Sequence, residues 1–375
     1  MTPSFPSSAR VYPVEDRKGI VPKIKSHLEG LYRSTPEQRL DNGLLRLDMN
    51  EGLPGLPEQF LRETLSEIGP EFMATYPEYE KLTEKLARLN NVSPENICLA
   101  PGSDGAVKYL FDAYVSPGDK VLLTDPTFAM YPVYCDMFQA VPVSVEYNHD
   151  LSFPKDRFMQ SVGEGIRIAV IVNPNNPTGT AEEPEQLALI VEQAAAFDVL
   201  LVVDEAYFYF YPKTVAEYVS RYKNLVVLRT FSKLFGMAAA RLGYAIASPE
   251  VIGHLAIVKP TYDVNGIAVR LAERLMETPS VIKQLIKAAA EGKRFLVGKL
   301  AGEAIAHRAG QANFVLINCG ERVPEIARRL AERKILIRAG FRQTFLKEYV
   351  RVTIGTTEIM STFWEAFISI WRNAH

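Results

Sequence analysis

The feature of this chain that most needs a chemical explanation is a lysine at the end of a hydrophobic run. Leu225-Val-Val-Leu228 has the composition of a buried strand, and it breaks into Arg229-Thr-Phe-Ser-Lys-Leu-Phe-Gly236, a turn that carries Lys233. Arg241 follows eight positions after that lysine. A lysine charge resists desolvation, so packing alone gives no reason to put one there. Amine chemistry does: burial lowers the pKa and frees the amine as a nucleophile able to form a Schiff base with a carbonyl compound. Two more polar residues stand just past apolar runs of the same kind. Ile166-Arg-Ile-Ala-Val-Ile-Val172 runs into Asn173-Pro-Asn-Asn-Pro-Thr-Gly179, which contains Asn176, and Val199-Leu-Leu-Val-Val203 runs into Asp204-Glu-Ala-Tyr207. A structural turn explains any one of these; a shared site explains all three.

For such residues to meet, their strands must share one sheet. Continuous apolar runs alternate with amphipathic stretches, which predicts an α/β fold with a mainly parallel sheet covered by helices on both faces. Further strands are expected at Leu44–Asp48, Ile97–Ala100, Lys120–Asp125, Val141–Tyr147 and Leu242–Ala247, and helices at Pro57–Ile68, Tyr79–Leu89, Ala106–Tyr114 and Pro184–Phe197. Open sheets of this kind bind ligands beyond the carboxyl ends of their strands, where Asn176, Asp204 and Lys233 fall. Pro101-Gly-Ser-Asp-Gly105 opens a helix with free N–H groups and the positive end of its dipole, a setting that serves a phosphate as well as an ordinary cap. Residues 1–45, rich in Pro, Ser and charge, are expected to form an N-terminal arm with a short helix around Pro22–Tyr32. A large domain is expected over 46–264 and a smaller α+β C-terminal domain over 265–375. The smaller unit would hold long helices at Ile267–Glu277 and Val281–Lys299, strands at Phe314–Asn318, Ile335–Arg338 and Tyr349–Ile354, and a closing helix at Phe363–Arg372.

Composition narrows the function classes. The chain has 375 residues, 47% of them apolar and 23% charged, as in an ordinary soluble globular protein. A net charge of −2 gives no support to nucleic-acid binding or to a polybasic membrane contact. Cys98, Cys135 and Cys319 are few and widely spaced, so no disulfide framework is expected and a cytoplasmic location fits best. The five histidines show no ligand-like spacing, so no metal site is expected. No signal-peptide core and no run of about 20 apolar residues stands out.

Taken in order, the motifs resemble a known family. Asn173-Pro-Asn-Asn-Pro-Thr-Gly179, Asp204-Glu-Ala-Tyr207 and Thr230-Phe-Ser-Lys-Leu-Phe-Gly236 with Arg241 look like fold-type-I aminotransferases of classes I and II, which depend on pyridoxal 5′-phosphate (PLP). The histidinol-phosphate aminotransferase branch is the nearest. Tyr76-Pro77, Gly102-Ser-Asp104, Pro126-Thr-Phe128 with Met130-Tyr131, and Arg351-Val-Thr-Ile-Gly-Thr356 add to the likeness, which runs from about Leu47 to the C-terminus. The resemblance implies Lys233 as the Schiff-base lysine and proton carrier, and Asp204 as partner of the pyridinium nitrogen. It implies Tyr207 and Asn176 at the ring oxygen and Phe128 stacked on the ring. It also implies Thr230, Ser232, Arg241, Ser103 and Asp104 around the phosphate. Tyr76 would reach a neighbouring subunit's cofactor, which makes the expected assembly a homodimer with shared sites. Arg351, Arg338, Asn313 and Asn50 are the expected substrate contacts, for a small, phosphorylated or aromatic amine exchanging with a 2-oxo acid such as 2-oxoglutarate. Histidinol phosphate is the leading donor.

The likeness is weaker around the substrate. Val21-Pro-Lys-Ile24 stands where the branch carries a Pro-Tyr pair, Asn50-Glu-Gly-Leu-Pro54 replaces an Asn-Glu-Asn-Pro turn, and Ala239-Ala240 and Pro260-Thr-Tyr-Asp-Val-Asn265 also depart. A PLP-dependent decarboxylase of a phosphorylated amino acid would need the same cofactor residues. A non-catalytic doubly wound binding protein would have no reason to keep Lys233, Asp204, Tyr207 and Asn176 together.

Overall fold

The computed structural model describes residues 23–31 and 43–373. Much of the expected arm, including Val21 and Pro22, lies outside the described residues. Within it, Ser26–Leu28 forms a short 3-10 helix in place of the longer one expected.

The strands are β1 (Leu45–Leu47), β2 (Ile97–Ala100), β3 (Lys120–Asp125), β4 (Val141–Glu146), β5 (Ile166–Val172), β6 (Leu200–Asp204), β7 (Leu225–Thr230), β8 (Gly243–Ala247), β9 (His307–Arg308), β10 (Phe314–Asn318), β11 (Ile335–Ile337) and β12 (Tyr349–Thr353). Seven of them make one sheet in the order β2-β8-β7-β6-β5-β3-β4, parallel throughout except for β8. The central strands are apolar at almost every position because both faces are covered. Ala169, Ile171, Leu201, Val203, Leu225 and Val227 point into a core shared with the helices Glu80–Asn90, Pro184–Ala196 and Gly266–Glu277. Ile168, Val170, Leu200, Val202, Val226 and Leu228 point the other way, against Gly102–Tyr114, Met130–Phe138 and Pro249–Val258.

A second core, centred on Leu296, Val315, Val352, Phe363 and Phe367, underlies the three-stranded antiparallel sheet β12-β10-β9. The expected domain limits shift here. Leu47 is fully buried in this second core, and β1 pairs in parallel with β11, so the C-terminal unit begins with residues from the N-terminal side. Conversely, Ala268, Leu271 and Leu275 pack with the main sheet, so the helix Gly266–Glu277 belongs to the large unit. The following helix, Pro279–Gly302, crosses between them, with Leu285 in the first core and Leu296 and Leu300 in the second. Apolar faces, rather than the change in local pattern near Asn265, set the boundary. Asn265 is instead the N-cap of Gly266–Glu277, accepting from the Ala268 N–H. The two units meet through Leu151 packed on Leu316 and Leu346, and through Gln343 donating to Asp125 at 2.5 Å.

Candidate active site

Because β5, β6 and β7 are consecutive neighbours, their carboxyl ends bring Asn176, Asp204 and Lys233 to one edge of the sheet. Strand alternation then sorts the side chains. Asp204 and Thr230 continue the row of Val202 and Leu228, on the side of the helix Met130–Phe138. Glu205 and Arg229 continue the opposite row and pair there, buried, at 2.9 Å. Arg229 also donates to Asn90 at 2.6 Å and to Thr214 at 2.8 Å, and covers the Phe208 ring at 3.5 Å. This network fixes the strand ends from behind the site.

Lys233 is half-buried, its Nζ 5.9 Å from the centre of the Tyr207 ring and donating to the Met49 carbonyl at 3.2 Å. Burial pushes the amine down to about 8, and the nearby Arg351 guanidinium pushes the same way. Burial drives the Asp204 carboxyl up to about 6, opposed by hydrogen bonds from the Tyr131 hydroxyl at 2.8 Å and the Ala206 N–H at 3.1 Å. Tyr131 itself is fully buried and held well above the ordinary phenol range, so it stays a donor. Nothing in the sequence signals its contact with Asp204, because the aromatic cluster around Phe128 does not mark which ring faces β6. Burial also raises the Tyr207 phenol, to about 12; its oxygen accepts from Asn50 Nδ2 at 2.8 Å. Asn50, expected beside substrate, is thus buried against Tyr207 and Thr353, in the left-handed backbone region that asparagine tolerates. Phe128 is half-buried, edge-on to Tyr131 at 6.1 Å.

An anion cradle is built where the helix Gly102–Tyr114 begins. Its first-turn amides lack intrahelical acceptors. Arg241 bends back in the left-handed conformation, and its guanidinium lies over Gly102, where a Cβ would fall 2.7 Å from Nη2. Gly243 lets β8 approach the same turn, since a Cβ there would fall 2.3 Å from the Ser103 nitrogen. Thr230 and Ser232 add hydroxyls 3.1 Å apart. Gly102 has φ +79°, so Gly102→Ala combines backbone strain with displacement of Arg241. The expected result is roughly a tenfold weaker PLP dissociation constant, about 1.4 kcal/mol, in absorbance titration of the cofactor-free protein.

At the other end, Arg351 is buried, held between the Asn176 side chain, which accepts from Nη1, and the Asp48 carbonyl, which accepts from Nη2 at 2.5 Å. Arg338 is exposed, and its backbone bridges that of Arg351 through bonds of 2.8 and 3.0 Å. Burial first, and the proximity of Arg338, lower the Arg351 guanidinium to about 10. Asn313 donates to the Asn50 carbonyl at 3.1 Å. Tyr76 stands apart, 74% exposed, stacked on Tyr262 at 4.2 Å and lining a surface cavity with Phe72, Lys81 and Arg270.

These groups fit PLP: an amine for its aldehyde, a buried carboxylate for its ring nitrogen, a phenol for its ring oxygen and a helix start with hydroxyls and a guanidinium for its phosphate. Buried polar atoms without a hydrogen-bond partner among the described residues, Asp104 Oδ1, Asn175 Oδ1 and Arg351 Nε, lie in the segments that frame this space. Among the described residues no cluster of His, Cys, Asp and Glu could hold a metal ion, and no helix is long and apolar enough to cross a membrane.

Comparison with known proteins points to the same cofactor. A model of the aminotransferase class I and II family matches residues 46–367. The histidinol-phosphate aminotransferase of Caldanaerobacter subterraneus subsp. tengcongensis is 34% identical over 317 residues, 84% of this chain and 89% of that protein. That of Thermoanaerobacter sp. (strain X514) is 32% identical over 319 residues, with the same shares covered. Among solved structures, histidinol-phosphate aminotransferase from Sinorhizobium meliloti in complex with pyridoxal-5′-phosphate superposes with a TM-score of 0.86, covering 96% of this chain and all of that one at 22% identity.

Proposed function

On the premise that the chain belongs to the aminotransferase class I and II family, we propose that it moves an amino group from histidinol phosphate to 2-oxoglutarate, using PLP held by the residues described above. The family makes it a PLP-dependent transaminase; the substrate pair is our assignment, supported by the names of its relatives. The observation that carries it is the backbone bridge between Arg338 and Arg351, which sets two guanidinium-bearing residues side by side next to Asn176. Guanidinium forks suit a phosphate monoester in one half-reaction and a dicarboxylate in the other.

Bound PLP supplies an aldehyde that captures amines and a ring that accepts electrons from the α-carbon. The protein's own residues do the rest. Lys233, with its amine near 8, offers a usable neutral fraction at neutral pH; its Nζ would remove the α-carbon proton of the amino donor in one half-reaction and supply one to the α-carbon of the new amino acid in the other. Asp204, ionised and backed by Tyr131, would pair with the ring nitrogen and favour its protonated form. Tyr207, steadied by Asn50, and Asn176 would hold the ring oxygen, and Phe128 would pack against the ring. Ser103, Asp104, Thr230, Ser232 and Arg241 would hold the phosphate.

We place the enzyme in the cytoplasm, where its three buried free thiols suit a reducing compartment; cell fractionation tests this. We also assign a homodimer, in which exposed Tyr76, with Met73 and Tyr262 exposed as well, meets the other copy's phosphate site. Sedimentation of the holoenzyme as single chains would remove that part. The decisive experiment adds glutamate to the holoenzyme in the absence of acceptor. The visible absorption should convert to that of the pyridoxamine form, and a donor screen with 2-oxoglutarate should rank histidinol phosphate first. Carbon dioxide release without pyridoxamine formation would replace transamination by decarboxylation.

A further inference from the structure

Lys293 lies outside every group assigned above, on the helix that crosses between the two units. Its Nζ donates to two backbone carbonyls, Gly310 at 2.8 Å and Ala312 at 3.0 Å. Burial lowers this amine to about 8, so at neutral pH it is mainly charged and both bonds are charge-assisted. The root of the side chain is fixed as well: a Cβ on the preceding Gly292 would fall 2.0 Å from the Gly355 carbonyl, so helix and chain are in direct backbone contact there.

The gripped loop touches both ends of the site. On one side it abuts the loop that carries Asn176. The Gln311 N–H donates to the Gly179 carbonyl at 2.6 Å, and a Cβ on Gly310 would fall 2.8 Å from the Gly179 Cα. On the other side, Ala312 and Phe314 pack on Tyr207, and Phe314 underlies the Arg351 guanidinium at 5.3 Å. Asn313, between them, donates to Asn50 and accepts from the Ile354 N–H at 2.8 Å.

We infer that Lys293 is a positioning residue for substrate: its ammonium holds the loop 310–312 against the Asn173–Gly179 turn and thereby sets Asn313 and Arg351 for the incoming anion. The inference rests on the transamination reading for its kinetic consequence but not for its structural one. Two measurements separate them. In the Lys293→Met holoenzyme, amide hydrogen exchange at Gln311 and Ile354 should rise at least about tenfold, and Lys293→Arg should restore protection. The Met variant should also raise the KM for the amino donor about tenfold while kcat stays within about threefold and the cofactor absorption band does not move; Arg should bring the KM back. Losing two charge-assisted bonds is large enough for that effect. If Met fails to fold, Lys293→Gln, whose shorter, uncharged amide keeps N–H donors, should give intermediate protection and KM. Wild-type exchange and KM in the Met or Gln variant, even with a lower melting temperature, would mean a purely structural lysine and overturn the inference. If no donor is turned over by the wild type, the transamination reading fails, and the exchange data alone decide the role of Lys293.

Discussion

Lys233→Ala is expected to abolish the mass gained on borohydride reduction with PLP and to slow turnover by at least about 10⁴-fold, the upper range for loss of a positioned proton carrier. The fold should survive. Burial holds the Lys233 amine near 8, below its ordinary 10.5. Between those values the unfolded chain binds a proton that the folded chain does not, so the stability of the cofactor-free wild type rises with pH across that window. Below about 8 the cost of burying the charge is complete. The alanine variant lacks this cost, so without cofactor its thermal midpoint at pH 7 should equal or exceed that of the wild type, and its rise from pH 8 to 10.5 should be shallower. A covalent adduct retained in the variant would place the reactive amine elsewhere.

Asp204→Asn should cost about 10³-fold in kcat, the scale of removing a preorganised charge from a water-poor site, with cofactor still bound. The amide oxygen can keep the Ala206 N–H bond and the amide group can still meet Tyr131, whose hydroxyl can turn to accept, so the geometry holds while the charge is lost. The pH signature differs from that of Lys233. Burial raises the Asp204 carboxyl from 3.8 to about 6, so in this interval the folded chain binds the extra proton. Stability of the cofactor-free wild type therefore falls as pH climbs through that interval, with no burden below it and the full burden above. The Asn variant should lose this component, which calorimetry between pH 4 and 6.5 can detect. A kcat within tenfold of wild type would remove Asp204 from the ring nitrogen.

Local sequence was informative where burial is nearly uniform. The cores of β5, β6 and β7 read as buried strands because helices cover both of their faces, and the polar residue that ends each run stands at the sheet edge where Asn176, Asp204 and Lys233 gather. The helix Pro249–Val258 leaves little periodic signal, because Pro-Glu-Val-Ile-Gly-His-Leu-Ala-Ile-Val has little polar contrast; Val251 and Leu255 are its buried positions, while Ile257 is 81% exposed. Pairings made across the chain left no local trace. Nothing in Leu44–Asp48 signals a partner at Ile335–Ile337, and nothing in Asn50 signals Tyr207. Arg229 and Glu205 were visible as motif members, yet their mutual pairing depends on strand alternation across two adjacent strands.

The parallel pairing of β1 with β11 has a consequence for how the enzyme is made. Leu47 meets Ile337, about 290 residues later, so at ribosomal speed the first strand waits roughly 15–60 s for its partner. The main sheet and its phosphate cradle lie wholly between these strands and can assemble during that wait. Asn50, three residues beyond Leu47, bonds both Tyr207 and, through Thr353, β12. On the proposed placement of the cofactor, the side that would hold its ring oxygen is completed last, so a nascent chain can build the anion cradle well before it can become a finished catalyst.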